Sequence, residues 1–165
     1  VNNIEHSGGT TALNIDSTGR VTKPALPFFV LTGNSEANKS MENGDRLGAT
    51  DDGNTALISN PAHGAGGIRG FTYNSATGEI NVPINGLYHI GCNIFSNASE
   101  TTLFAIYRNS SIIQYVQQDL IGNMTMDMVA VLTANDKITF RNTRGSTNTI
   151  YEGVAHTQVY GYLIG

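Results

Sequence analysis

Apolar side chains along this chain rarely follow a helical spacing. They alternate with polar ones or come in short runs, and Gly, Asn, Asp and Ser interrupt them about every ten residues. Strands have a side-chain period of two and need turn residues between them, so this rhythm predicts a β-sandwich or barrel rather than alternating strands and helices. The pattern places ten strands at residues 27–32, 55–58, 67–73, 79–83, 86–96, 101–108, 111–117, 125–132, 137–142 and 157–164. Alternation is cleanest in Leu103-Phe104-Ala105-Ile106-Tyr107 and in Met124-Thr125-Met126-Asp127-Met128. Over residues 86–96, Tyr88, Ile90, Cys92 and Ile94 form the better core face, and Leu87, His89, Gly91, Asn93 and Phe95 point the other way. Arg108-Asn109-Ser110-Ser111 and Ala134-Asn135-Asp136-Lys137 read as tight connections, because Asn and Asp tolerate turn geometry and bond their own backbone. Thr77-Gly78 reads as a turn, and Pro83 ends a strand because it has no N–H for a ladder.

Two stretches break the rhythm. Residues 1–24 carry few apolar side chains, chiefly Ile4, Leu13, Ile15 and Val21, and cannot bury themselves alone. They are expected to be a linker, or one strand segment of an intertwined stalk leading into a domain at 25–165. Residues 33–53 are polar and rich in Asn, Glu, Asp and Gly, and are expected to form a surface excursion.

Composition narrows the function. The 165 residues match one domain. Hydrophobic residues make up 39% and the net charge is only −4, which argues against a disordered chain. Nine Lys and Arg give no footprint for nucleic acid or an anionic membrane. No apolar run approaches the ~20 residues of a membrane-spanning helix, so membrane insertion is not expected. Cys92 is the only cysteine, which excludes an intrachain disulfide and a cysteine zinc site; a buried thiol is the expectation. The chain opens at Val1 rather than Met, as a fragment or processed product would.

The run Thr77-Gly78-Glu79-Ile80-Asn81-Val82-Pro83-Ile84-Asn85-Gly86-Leu87-Tyr88 resembles the core of the complement C1q globular-head family, itself related to the tumour necrosis factor jelly roll. Tyr73, Ile80, Gly86 and Tyr88 hold the family's spacing of an aromatic, an apolar residue and Gly-x-Tyr. The closing run Val159-Tyr160-Gly161-Tyr162-Leu163-Ile164 is similar to the family's last strand, while its upstream positions fall unmatched at Ala62 and Ile68. The resemblance implies an all-β, ten-strand antiparallel jelly-roll sandwich and a homotrimer. Tyr88, Tyr160 and Tyr162 are candidates for its interface, with plain core packing an equal alternative for Tyr88.

A second resemblance lies in Ile15-Asp16-Ser17-Thr18-Gly19-Arg20-Val21-Thr22-Lys23-Pro24, which is similar to a lead-in phrase of bacteriophage fibre and other virion proteins. It implies a trimeric virion appendage: a tail or capsid fibre head or a capsid decoration, held to other virion structural proteins through residues 1–24. A hairpin turning at Ser17-Thr18-Gly19 accounts for the same residues without a virus. The other reading is a secreted or cell-surface C1q-like recognition protein, extracellular rather than on a virion.

Candidate chemistry is sparse. His6, His63, His89 and His156 show no ligand spacing, and Glu79 and Glu152 stand apart, so no catalytic residue, metal or cofactor is expected. Asp51-Asp52-Gly53-Asn54 has too few oxygens to enclose calcium unaided and reads as a surface turn. Binding is placed instead on Tyr and Arg, residue types favoured at interfaces: Tyr107, Tyr115, Tyr151 and Tyr160 with Arg108, Arg141 and Arg144. The loop at 142–149 makes Arg144, Asn148 and Tyr151 the binding candidates, toward a host surface glycan or protein.

Overall fold

The computed structural model describes residues 2–5, 11–22, 26–34, 37–57, 67–97, 101–119, 121–143, 147–153 and 155–164. Two antiparallel sheets face each other. The five-stranded sheet runs β11 (Ser111–Gln118), β10 (Thr102–Arg108), β13 (Lys137–Asn142), β8 (Glu79–Asn81), β7 (Thr72–Asn74). The seven-stranded sheet runs β5 (Asn38–Met41), β14 (Asn148–Tyr151), β9 (Gly86–Ser96), β15 (Thr157–Leu163), β4 (Phe28–Thr32), β6 (Gly67–Arg69), and β12 (Gly122–Leu132) pairs β9 along its whole length. The other edge of β9 is shared, since β15 pairs residues 88–94 and β14 pairs Phe95 and Ser96. Among the described residues twelve strands therefore build the sandwich, where ten were expected.

The core lies between the sheets, where period-two alternation puts it. Tyr88, Ile90, Cys92 and Ile94 of β9 are at most 1% exposed, and Phe104, Ile106, Ile138 and Phe140 face them from the five-stranded sheet. Phe71 packs edge-on against both Phe29 (4.9 Å) and Tyr88 (5.6 Å). Tyr88 is thus a core residue, and its place at a trimer interface is corrected: the fully buried ring offers a neighbouring copy no surface. Its hydroxyl donates to the Ile84 carbonyl at 2.8 Å, and burial pushes the phenol above its ordinary range. The Cys92 thiol is likewise pushed up to about 12 by burial, which makes it inert at neutral pH.

The signature residues have structural work. Tyr73 pairs with Ile80 across β7 and β8, and its hydroxyl donates to Gly48 O (2.7 Å) while accepting from Leu57 N (3.0 Å). That contact explains one departure from expectation: residues 55–57 are not a strand. The backbone amides of Thr55 and Leu57 are satisfied by the side chains of Glu152 and Tyr73, without a ladder. Residues 67–73 form two strands. At Gly70, with φ 79°, the chain leaves the seven-stranded sheet for the five-stranded one, and a side chain there would press on Pro27. The tight connections at Asn109 (φ 57°) and Asn135 (φ 71°) form as read.

The 33–53 stretch is not a mere excursion. It contributes β5 and the buried residues Met41, Leu47 and Ala49. The N-terminal segment forms a small sheet of its own, β1 (Asn2–Glu5), β2 (Thr11–Ile15) and β3 (Val21–Thr22).

Candidate functional site

The water-facing side of the seven-stranded sheet is the most distinctive surface. Polar side chains normally fill the outer face of an antiparallel sheet. Here cross-strand register aligns Val129, His89, Tyr162 and Phe28 in one row, and Asp127, Gly91, Tyr160 and Val30 in the next. Leu87 and Val131 pair at the β9–β12 end, where Val131 is 71% exposed. Between β15 and β4 lies an open groove of about 500 Å³, walled by Phe28, Val30, Tyr160 and Tyr162. Tyr162 is 48% exposed. Gly161 lies along this groove and cannot carry a side chain, because a Cβ would come within 2.5 Å of the Phe29 ring.

One polar cluster interrupts this face. The Tyr160 hydroxyl donates to Asp127 Oδ1 at 2.6 Å, and His89 Nε2 lies 3.2 Å from the same oxygen. Burial, then the bond to Asp127, raises the Tyr160 phenol well above its usual range. His89 stacks obliquely against Tyr160 (5.9 Å) and Tyr162 (5.1 Å). Its Nδ1 is buried without a hydrogen-bond partner. Tyr160 and Tyr162 therefore do lie together on one outer face. At the far end of β9, Phe95, His156 and Tyr151 form a second aromatic group, with His156 5.6 Å from Phe95 and 4.9 Å from Tyr151.

Of the three residues expected at the loop site, Asn148 and Tyr151 are described. Arg144 lies outside the described residues, as do His6 and His63. Asn148 is corrected from a binding residue to a buried one: its amide donates to Asn142 Oδ1 at 2.6 Å, and Asn142 in turn donates to the carbonyls of Met41 and Glu42. Asn is read as a loop residue in a sequence, and nothing in the pattern marked these two as internal pins.

Among the described residues no group of three or more His, Cys, Asp or Glu is placed to hold a metal ion. Both Asp52 oxygens accept from Arg46 (2.8 Å each), a pairing that holds the carboxyl below its ordinary range and leaves 51–54 as a turn ending at Gly53 (φ 75°). Glu79 bridges Lys137 at 2.9 Å. Glu152 is 1% exposed and faces Thr55 rather than another carboxylate, and burial pushes its carboxyl upward.

The five-stranded sheet carries a second surface that gathers three of the candidate residues. Tyr115, Ala105 and Arg141 stand in one cross-strand row, and the Arg141 guanidinium lies 4.4 Å from the centre of the Tyr107 ring.

The two antiparallel sheets, the central β9 and the closing β15 define a jelly-roll sandwich of the tumour necrosis factor and C1q kind. Among solved structures the chain is similar to Eiger, a tumour necrosis factor from S. frugiperda, with a TM-score of 0.69, 16% identity, and coverage of 84% of this chain and 94% of that one. At this identity the likeness is one of fold. No protein-family model matches the chain, and no curated protein matches it.

The structural match corrects the expected setting. It falls on an insect tumour necrosis factor, which overturns the bacteriophage, virion, fibre and capsid-decoration reading. The phrase that pointed there is accounted for by turn chemistry. Asp16 Oδ1 accepts from Thr18 N (2.9 Å), Thr18 Oγ1 (2.6 Å) and Arg20 N (3.0 Å), and Gly19 takes φ 82°. Asp16, Thr18 and Gly19 suit the turn from β2 into β3, whatever the protein is attached to.

Proposed function

We propose that this chain is the recognition head of a secreted or cell-surface C1q/TNF-like protein, active as a homotrimer joined through the outer face of its seven-stranded sheet. The observation that carries the reading is the largely apolar face of Phe28, Val30, Tyr160, Tyr162, Leu87, Val129 and Val131, broken only by the His89–Asp127 cluster. Exposed apolar patches rimmed by polar residues mark association surfaces, and a second copy of the same chain is the partner that the jelly-roll resemblance supplies. A ring of three is heterologous: the protruding valines of β12 in one copy meet the aromatic groove of the next. Three heads on one stem convert a weak single contact into avidity, the mode of action for a non-catalytic binder. The N-terminal sheet then serves as the stalk that joins head to stem.

Sedimentation equilibrium of the full chain tests the assembly. The expected species has three times the 17.6 kDa mass of one chain at micromolar concentration. Tyr162→Asp with Val129→Asp is expected to give a folded monomer. A wild-type chain that stays monomeric, folded and soluble under the same conditions overturns the reading.

A further inference from the structure

We infer that the outer face of the five-stranded sheet, centred on Arg141, is a docking site for a protein partner that presents a carboxylate flanked by apolar side chains. It faces away from the surface proposed for trimer contact and stands independently of it. The argument begins with the pairing of cations. Arg46 is bridged to Asp52, Arg108 to Asp136 and Lys137 to Glu79, whereas Arg141 forms no ion pair with a carboxylate among the described residues.

Arg141 is nevertheless held in place. Its guanidinium stacks on Tyr107, Nε donates to Thr139 Oγ1 at 2.8 Å, and Nη2 donates to the Asn109 carbonyl at 3.3 Å. Stacking and neutral acceptors fix the side chain without a direct carboxylate partner; Asp52, which is bridged to Arg46, meets its charge only at a distance, and the guanidinium keeps donors for a bidentate carboxylate. The ordering entropy of a long side chain is already spent in the free protein.

The surroundings identify the occupant. Tyr115, 63% exposed, stands in the Arg141 row, separated from it by the small Ala105, and Ile112, also half exposed, pairs with Tyr107 in the next. Tyr and Arg beside an exposed aliphatic side chain is the composition of a protein hot spot. An apolar Ile and an aromatic on one side of the cation favour apolar neighbours to the carboxylate over the hydroxyls of a sugar.

The test is a heteronuclear NMR titration of the full chain with three probes: acetyl-Phe-Glu-Phe-amide, its Gln analogue and N-acetylneuraminic acid. The Glu peptide is expected to shift the Arg141 Nε–H signal and the amides of β10, β11 and β13, with the Gln peptide binding roughly tenfold more weakly, the loss for one charge-assisted hydrogen bond. Arg141→Gln, at unchanged melting temperature, is expected to abolish the difference between the two peptides, and Arg141→Lys to restore part of it. Equal shifts from both peptides, shifts that survive Arg141→Gln, or shifts from the sugar acid alone overturn the proposal.

Discussion

Tyr160 and Asp127 bond at 2.6 Å across a strand that places nothing between them, because the β9 residue paired with both is Gly91. A Cβ at Gly91 would lie 2.6 Å from Asp127 Oδ1 and 2.6 Å from the Tyr160 hydroxyl. The glycine is needed for this approach rather than for any unusual backbone angle.

Gly91→Ala is therefore expected to push both side chains away and to destabilise the fold by about 1–3 kcal/mol, the usual penalty for overpacking. Urea unfolding measures it. Tyr160→Phe keeps the ring and removes only the hydrogen bond, so its loss should be the smaller, about 1 kcal/mol. A fully stable Gly91→Ala chain would show that the strand gives way and that the pair does not depend on this residue.

Asn148→Ala separates an internal pin from a binding loop. The Asn148 amide is buried and donates to Asn142, which ties β13 to the carbonyls that follow β5. Removing it takes away a buried side-chain hydrogen bond, and about 1–3 kcal/mol should be lost in thermal or chemical unfolding. Normal stability with weakened ligand binding is the opposite outcome and would return Asn148 to the surface.

These two asparagines also mark where the sequence ceased to be readable. Residues 86–96 and 137–142 were legible to the residue, because alternation and flanking turns agree there. β5 and β14 were not. Their sequences, Asn-Lys-Ser-Met and Asn-Thr-Ile-Tyr, bury only one and two side chains, and one of those is polar. A strand stabilised by hydrogen bonds between asparagines has no apolar signature. The outer aromatic face was half legible. Tyr160 and Tyr162 drew notice through the closing strand, but Phe28, Val30, Val129 and Val131 come from other strands, and only register reveals that they share a surface. Asp127 and His89 became partners for the same reason.

Glu152→Gln should stabilise the protein at neutral pH. The carboxyl is buried, one oxygen accepts from Thr55 N at 3.3 Å, and the other is buried without a hydrogen-bond partner. Burial raises its folded pKa above the unfolded value, so the folded state holds the proton more tightly. The linked contribution is greatest below the unfolded pKa and is lost as pH rises through the folded one. The neutral Gln removes that loss, and a gain of about 1 kcal/mol is expected at pH 7, shrinking toward pH 4. A variant less stable than wild type at both pH values would mean that the negative charge is favourably compensated where it lies.

Asp136→Asn tests the opposite sign. Burial alone would raise this carboxyl, yet hydrogen bonds from Thr133 N (2.7 Å), Asn109 Nδ2 (2.9 Å) and Arg108 (2.7 Å) together hold it below its ordinary range. The folded pKa is depressed, so the stabilisation is complete above the unfolded value near 3.9 and disappears as pH falls through the folded one. The same carboxylate closes the 133–136 turn and, through Asn109, ties it to the β10–β11 hairpin, so one titration loosens two connections. Asn cannot accept from all three donors as well as a carboxylate does, and its own amide meets one of them head-on. The expected loss is about 2 kcal/mol at pH 7, shrinking as pH falls through the depressed folded value, where wild type gives up the charge as well. Unfolding curves of the two proteins at pH 7 and along a descending pH series decide it, and a gap that stays constant with pH would assign the loss to packing rather than to the ionised group.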